Sequence, residues 1–181
     1  MEVERILLYS ALRQGRVALA TRFVNTRLSR AFHVAYYDMP NTWTKNSWFG
    51  TPIQQFPSDL LIYQEIMARR VPDFIVQTGV FDGGSALFLA HMLDLAGAPE
   101  PAQVVAVDIE LRASARALNH PRIRLIEGDS TAPDIIAQIE SHLAGIPFVN
   151  GGMVSLDSDH RARHVAKELD LYSHSGGRGY T

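Results

Sequence analysis

Polar side chains follow each of four short apolar stretches in this chain, at the positions where buried strands would end. In chain order they are Gln77 and Thr78 with Gly79, then Asp108, then Asp129 with Ser130, and last Asp157 to His160. In an open parallel sheet, ligands bind outside the carboxyl ends of the strands. A carboxylate after the second strand can accept both hydroxyls of a ribose, and a polar pair after the third can meet an adenine edge. The pattern therefore predicts a site for an adenosine-containing ligand.

The turn after the first apolar stretch favours an anionic group. In IVQTGVFDGGSALFLA, Ile75 to Ala90, a predicted strand passes through three glycines, the last two being Gly83 and Gly84, into a helical pattern. The first turn of a helix has unpaired N–H groups, so we expect Gly84 and Ser85 to hold a phosphate or carboxylate. A nicotinamide site would prefer G-x-G-x-x-G, and Asp82 would be unfavourable beside a pyrophosphate. The carboxylate of S-adenosylmethionine fits better, with Asp82 outside the pocket or beside the ammonium.

The fourth predicted strand ends in the element D-S-D-H. Asp157 is of the type that binds Mg²⁺, which prefers oxygen ligands. His160 is suited to taking a proton from an acceptor hydroxyl, whose pKa a metal would lower. Two alternatives stay open: Asp159 and His160 cap the next helix, or the D-x-D belongs to a metal-dependent glycosyltransferase. Capping is an equal alternative for any single acid that follows a strand.

Five segments together resemble the cephalosporin hydroxylase and rhamnosyl O-methyltransferase family of class I S-adenosylmethionine-dependent methyltransferases. They lie between Tyr36 and Tyr172 and read, in order, NTWTKNSWFGTPIQQFPSDLLIYQEIM, IVQTGVFDGGSALFLAHMLDL, VVAVDIE, HPRIRLIEGDST and LDSDHRARHVAKELDLY. The resemblance implies a doubly wound methyltransferase fold, S-adenosylmethionine as cofactor and, in some members, magnesium at the acceptor site. By position it assigns the methionine moiety to Gly79, Gly83, Gly84 and Ser85, the ribose to Asp108, the adenine side to Asp129 and Ser130, and the first metal carboxylate to Asp157.

Two features depart from the family pattern. The family usually has an acid where this chain has Gln77, so a contact to the cofactor's ammonium loses its charge assistance, although a carbonyl acceptor remains. The family also continues into a fifth strand and an E-D pair that completes the metal site, whereas this chain ends at SHSGGRGYT. We therefore expect a C-terminally truncated sheet of strands one to four, weak Mg²⁺ binding, and self-association through the bare edge of the fourth strand.

The composition is typical of a globular protein with a substantial core. Hydrophobic residues make up 46% of 181, the net charge is −2, and there is no cysteine, so disulfides and thiolate metal ligands are excluded. The near-neutral charge argues against nucleic-acid binding, and the N-terminal segment mixes charges with apolar residues, unlike a signal peptide or membrane span. We expect an amphipathic helical segment at 1–35, a Rossmann-like α/β domain with helices on both faces at 36–181, and a cytoplasmic location.

The parts outside the strand ends give weaker expectations. Trp43, Trp48 and Phe49, in the loop before the first strand, fit either a substrate lid or core packing. Ser58 is expected to cap the helix that ends before Pro72. In the last helix the expected apolar positions are Val165, Leu169 and Leu171.

Taken together, the residues and the resemblance predict an S-adenosylmethionine-dependent O-methyltransferase. It would methylate a hydroxyl of a small molecule or sugar, in lipid or polysaccharide biosynthesis, by in-line displacement, with His160 and Asp157 as catalytic residues and Gln77 and Thr78 among the cofactor contacts. The alternative is a non-catalytic remnant that binds the cofactor or a partner.

Overall fold

The computed structural model describes residues 27–174, and the chain divides into two units, Met1–Trp43 and Thr44–Thr181. In the first unit, helix α1 covers residues 27–38, and the Trp43 ring stacks on Tyr37 with 5.2 Å between ring centroids. Residues 1–26 of the predicted N-terminal segment and the C-terminal SGGRGYT lie outside the described residues.

The second unit is a parallel sheet flanked by helices. Its elements, after a 3-10 turn at Trp43–Lys45, are β1 Ser47–Trp48, β2 Thr51–Pro52, α2 Pro57–Arg69, β3 Phe74–Thr78, α3 Gly84–Leu95, β4 Gln103–Asp108, α4 Ala113–Arg116, β5 Ile123–Glu127, α5 Pro133–Leu143, β6 Gly152–Leu156 and α6 Ala162–His174. Strands β1 and β2 form a small antiparallel hairpin. The four long strands pair in parallel in the order β5-β4-β3-β6. The predicted α/β fold class is confirmed.

The order of the strands places the candidate residues. From β3 the chain moves outward through β4 to β5, then returns to add β6 on the other side of β3. The strand order therefore reverses at β3, which is where ligands bind in doubly wound sheets. Every predicted polar strand end lies at this carboxyl edge.

Two apolar clusters cover the two faces of the sheet. Successive strand residues point to opposite faces, and Ile75 accordingly belongs to the cluster that includes α3, whereas Val76 belongs to the cluster that includes α5 and Tyr172 of α6. By the same alternation, Gln77 lies on the α3 face and Thr78 on the face of α5 and α6. Both side chains are buried.

Two local predictions are wrong. The residue that precedes α2 is Phe56, with Pro57 in the first helical position, so Ser58 lies inside the helix and makes no capping hydrogen bond. Proline suits this position because it has no N–H to leave unpaired. In α6, Leu169 is 56% exposed, whereas Glu168 and Tyr172 are buried at 0% and 2%. The buried face of α6 is therefore rotated from the predicted one.

Candidate active site

The glycines after β3 are required first by packing within the protein. Gly79 has φ +81°, and a Cβ there would lie 2.0 Å from the main-chain oxygen of Asp157. At Gly84 a Cβ would lie 2.2 Å from the main-chain oxygen of Pro52. The end of β3 therefore packs closely against the segment after β6, and the start of α3 packs against the β1-β2 hairpin.

The start of α3 has the features of an anion site. Its N-cap residue, Gly83, has φ +93° and provides no side-chain cap for the N–H groups of the first turn. Gly84 and Ser85 occupy this turn, as the sequence predicts. Unpaired N–H groups and the positive end of the helix dipole favour a carboxylate or phosphate here.

Gln77 contributes a buried acceptor beside the same turn. Its Nε2 donates to the Gly79 carbonyl at 2.8 Å and to Ser85 Oγ at 2.6 Å. A carbonyl can only accept, so the amide orientation is determined by this network. Among the described residues, neither Gln77 Oε1 nor Thr78 Oγ1 has a hydrogen-bond partner. A buried acceptor without a donor is costly, so a ligand that brings a donor to Gln77 Oε1 would be favoured.

Asp108 holds the glycine turn together. Its Oδ2 accepts the N–H groups of Val80 at 2.7 Å and Phe81 at 2.9 Å, while Oδ1 accepts a longer bond from the Glu110 N–H at 3.2 Å. The carboxylate thus has a structural role, and Oδ1 keeps capacity for a further donor such as a ribose hydroxyl.

Asp82 is engaged with α4. Its Oδ1 accepts from Ser114 Oγ at 2.6 Å, and Arg112 Nη1 lies 3.4 Å from its Oδ2. The Arg112 guanidinium also lies 3.4 Å from the centroid of the Phe81 ring, close enough for a cation–π contact. Of the two alternatives for Asp82, this geometry favours the one in which it stays outside the pocket.

Asp129 and Ser130 make hydrogen bonds within the protein. Asp129 Oδ1 accepts from both the N–H and the hydroxyl of Thr131 at 2.8 Å, and these bonds lower the pKa of Asp129. Ser130 is 6% exposed and donates through Oγ to Glu168 Oε1 at 2.6 Å. The structure places both residues at the predicted strand end, where Asp129 is hydrogen-bonded to Thr131 and Ser130 to Glu168.

The D-S-D-H element lies at the carboxyl end of β6. Burial raises the pKa of Asp157, partly opposed by His160 and by a hydrogen bond to Oδ2 from Gln55 Nε2 at 2.5 Å. His160 is exposed, with Nε2 4.0 Å from Asp157 Oδ1. Asp159 accepts from the N–H of Arg161 at 3.0 Å, and the side-chain hydrogen bond from Arg161 lowers the pKa of Asp159 to about 2. Asp159 therefore stabilises the turn before α6, while the position that caps the helix is Arg161, whose carbonyl accepts from the N–H of Val165 at 3.1 Å.

The predicted metal ligand, Asp157, has one neighbouring imidazole, that of His160. Within residues 27–174, no cluster of three or more histidine or acidic side chains is arranged to hold a metal ion. Mg²⁺ requires near-octahedral oxygen coordination and usually takes one or two carboxylates together with waters and substrate oxygens. Asp157 can supply one such carboxylate, and because the remaining positions would be left to waters and substrate oxygens, the described residues favour only weak Mg²⁺ binding.

A strap formed by residues 46–55 joins the start of α3 to Asp157. The strap contains the β1-β2 hairpin and closes on itself where the Ile53 N–H donates to the Asn46 carbonyl at 2.9 Å and Asn46 Nδ2 donates to the Gln55 carbonyl at 2.9 Å. Ile53 is 2% exposed and packs in the α3 cluster. Because the strap ends at Gln55, its position sets the hydrogen bond to Asp157.

The aromatic residues of the strap have different environments. Trp48 packs edge-on against Phe88 at 5.0 Å and donates through Nε1 to His91 Nδ1 at 2.9 Å. Phe49, at the tip of the hairpin with φ +46°, is 81% exposed. Packing against α3 therefore accounts for Trp48, while Phe49 remains at the surface.

No helix within the described part of the chain is both long and apolar enough to cross a membrane.

Gln55 and Glu168 are near the candidate site but absent from the predicted set. Gln55 has only a weak signal, as one of two glutamines between the apolar Ile53 and Phe56. Glu168 has a clearer one, because residues four apart share a helix face and Tyr172 is the large aromatic residue of α6. Choosing Tyr172 as the buried residue would have placed Glu168 inside the protein with it.

Structural comparison defines the class of the fold. A solved apo structure of CmcI matches 70% of this chain and 51% of its own, with a TM-score of 0.54 and 21% identical residues. A structure of CmcI with Mg and SAM matches 75% of this chain and 57% of its own, with a TM-score of 0.52 and 19% identity. At this identity the likeness shows the fold, which is that of CmcI.

Sequence comparison then shows the family. The model of the family described as rhamnosyl O-methyltransferase/CmcI matches residues 40–178, so the chain belongs to this family, as the sequence motifs predict. The rhamnosyl O-methyltransferase of Mycobacterium leprae (strain TN) is 34% identical over 145 residues, 80% of this chain and 61% of that protein. That of Mycobacterium tuberculosis (strain ATCC 25618 / H37Rv) is 32% identical over 146 residues, 80% of this chain and 57% of that protein. The chain thus spans about 60% of the length of these curated relatives.

Proposed function

We propose that the protein is an S-adenosylmethionine-dependent O-methyltransferase that acts on a hydroxyl of a sugar or another small molecule. Family membership supports the reaction class, and the name of the mycobacterial relatives supports a sugar acceptor. The observation that carries the proposal is the pairing of an uncapped helix start with the unsatisfied, buried Gln77 Oε1. An amino-acid tail presents a carboxylate and an ammonium together, which matches this pair.

The residues of the chain would hold such a cofactor at three places. The N–H groups of Gly84 and Ser85 would bind the carboxylate, and Gln77 Oε1 would accept from the ammonium. Asp108 Oδ1 would accept from a ribose hydroxyl, with Asp129 and Ser130 on the adenine side. When bound, S-adenosylmethionine supplies an electrophilic methyl group on its sulfonium, and the chain's contribution is to position this group against the acceptor.

Asp157 and His160 would handle the proton of the acceptor hydroxyl. Because burial raises the pKa of Asp157, its carboxylate is a stronger base than a solvated aspartate, which favours proton transfer. His160 lies three residues away with an exposed imidazole that can pass the proton to water. This assignment does not depend on a metal, which we propose binds only weakly at Asp157.

The proposal is tested by calorimetry with S-adenosylhomocysteine and with NAD. We expect binding of the first and none of the second, and Gln77→Leu should weaken binding at least about tenfold, since a hydrogen bond to a charged group contributes about 1.5–3 kcal/mol. Gln103→Leu is the matched control, because Gln103 is also a buried strand glutamine, but it begins β4 and donates to the His142 carbonyl, away from the glycine turn. A preference for NAD, or equal effects of the two substitutions, would contradict the proposal.

A second candidate function is favoured by the absence, within residues 27–174, of any group of three or more histidine or acidic side chains that could hold a metal ion. A non-catalytic remnant, whether it binds the cofactor or a partner, would transfer no methyl group. Incubation with S-adenosylmethionine and a panel of sugar and phenolic acceptors separates the two candidates, because only the enzyme produces S-adenosylhomocysteine in proportion to acceptor. We also propose that the chain is cytoplasmic and self-associates along β6, which has one strand neighbour in the described sheet.

A further inference from the structure

A fully buried carboxylate connects the two sides of the candidate site. Glu168 of α6 is 0% exposed, and its Oε1 accepts from Ser130 Oγ at 2.6 Å and from Ser158 Oγ at 2.8 Å. Ser130 follows β5 and Ser158 follows β6, which are the two outer strands of the sheet. One oxygen atom is therefore shared by loops from opposite edges.

This arrangement is not explained by packing alone. A buried charge is costly, and an apolar side chain of similar volume at the same position would often be neutral or stabilising. His164 Nε2 lies 3.3 Å from Oε1, but Glu168 Oε2 has no hydrogen-bond partner among residues 27–174, so the cost is only partly relieved. The hydrogen bonds from Ser130 and Ser158 both go to Oε1. The arrangement therefore joins the two loops but leaves the second carboxylate oxygen without a donor.

Histidine-mediated nucleophilic chemistry does not fit this cluster. His164 Nε2 lies 3.3 Å from Ser130 Oγ and 3.3 Å from Glu168 Oε1. A serine-histidine-acid relay uses the two different ring nitrogens, one toward the serine and the other toward the acid. Because the same nitrogen faces both partners here, the imidazole cannot relay a proton between them.

We propose that Glu168 is a positioning residue that couples the loop after β5 to the loop after β6. The inference rests on the proposed function, in which the first loop borders the cofactor and the second carries Asp157 and His160. A ligand that moves Ser130 also moves the Glu168 carboxylate, because the two are hydrogen-bonded and the buried side chain has little freedom to rotate away. The hydrogen bond from Ser158 to the same oxygen then transmits the shift to the loop after β6. Cofactor binding thereby orders the D-S-D-H element.

Other contacts of α6 allow Glu168 to be changed without undocking the helix. Lys167 Nζ donates to Thr131 Oγ1 at 2.9 Å, and the Tyr172 hydroxyl donates to the Ser130 carbonyl at 2.7 Å. Glu168→Met keeps the approximate volume and removes the shared acceptor. Glu168→Gln keeps an acceptor oxygen and is the conservative variant that should restore part of the coupling. Tyr172→Phe removes one anchor of the same loop without touching the shared oxygen, and serves as the control.

The coupling is measured first without any ligand, by a double-mutant cycle. Ser130→Ala and Ser158→Ala, singly and together, are compared by urea unfolding in the native protein and in Glu168→Met. We expect non-additivity of about fivefold in the unfolding equilibrium constant in the native background and additivity in Glu168→Met. Additive effects in the native protein would overturn the proposal, whether or not the protein binds a cofactor.

Hydrogen exchange with S-adenosylhomocysteine measures the transmission directly. In the native protein and in Tyr172→Phe, the ligand should slow amide exchange both at 128–131 and at 157–161. In Glu168→Met the protection at 157–161 should be lost while that at 128–131 remains, and Glu168→Gln should recover part of it. Unchanged protection at 157–161 in Glu168→Met would refute the coupling. Absence of protection anywhere in the native protein would instead contradict the proposed function, and the mutant cycle would still decide on the coupling.

Discussion

Gly84→Ala tests the contact between the strap and the start of α3. The new Cβ would lie 2.2 Å from the Pro52 oxygen, 2.7 Å from its carbonyl carbon and 2.8 Å from Ile53 Cβ. Ordinary contacts of this kind exceed 3.4 Å, so the strap must retreat by about 1 Å, and main-chain atoms cannot rotate away. Overpacking of this type costs about 1–3 kcal/mol, while alanine gains up to about 1 kcal/mol over glycine in a helix. We expect a net loss of about 1–2 kcal/mol.

The assay is urea unfolding followed by tryptophan fluorescence, to which Trp48 in the strap contributes directly. Gly145→Ala is the matched control, because Gly145 has no atom within 4 Å of its ideal Cβ and no positive φ. The same retreat should lengthen the bond from Gln55 to Asp157. Equal stability of the Gly84 and Gly145 variants would refute the reasoning, since it would mean that the strap is not held against α3.

Three pH-dependent predictions follow from the shifted carboxyl and imidazole groups. Asp157→Asn should raise the thermal midpoint at pH 7, because burial raises the pKa of Asp157 and the folded state therefore disfavours its charge. This gain should vanish as pH falls below 3.8, the ordinary pKa of an aspartate. A gain that stays the same at every pH would contradict the prediction. Asp129→Asn should lower the thermal midpoint at pH 7, because hydrogen bonds from Thr131 lower the pKa of Asp129 and so stabilise the folded state. This stabilisation is lost as pH falls through the lowered pKa. If the variant is still less stable than the native protein in acid, the prediction is wrong. Burial and His120 lower the pKa of His91, so the folded state favours its neutral form. The thermal midpoint should therefore decline as pH falls below the ordinary pKa of 6.5, and it should decline less steeply in His91→Leu. If the midpoint falls in parallel with pH in the two proteins, His91 is not responsible.

The sheet could be predicted because each of its strands is recognisable from the local sequence. Each strand is a short apolar run that stops at a polar residue, and parallel strands buried on both faces have this composition. Asp108 and Asp157 could be placed at the carboxyl edge for the same reason, since the position follows from the end of a strand. Local periodicity is sufficient for such assignments and requires no knowledge of distant residues.

The contacts of those residues could not be predicted, because they depend on long-range packing. Gln55 reaches Asp157 from a segment that precedes the first long strand, and Glu168 meets Ser130 only because α6 contacts the loop that follows β5. Hydrophobicity predicts the wrong face for α6, since Leu169 is outside and Glu168 inside. A buried carboxylate contradicts the apolar pattern on which the prediction depends, and such conflicts are expected at functional sites.

The position of β6 beside β3 has a consequence for how the protein is made. This pairing joins residues much farther apart along the chain than those that join β3 to β4 or β4 to β5. Pairings of large sequence separation form late, and domains emerge from the ribosome from the N-terminal end. A nascent chain can therefore complete three strands while the edge of β3 is still exposed and Gly79 has no Asp157 beside it. Chaperone capture during translation should be concentrated in this interval, which ends when residues 152–156 leave the ribosome.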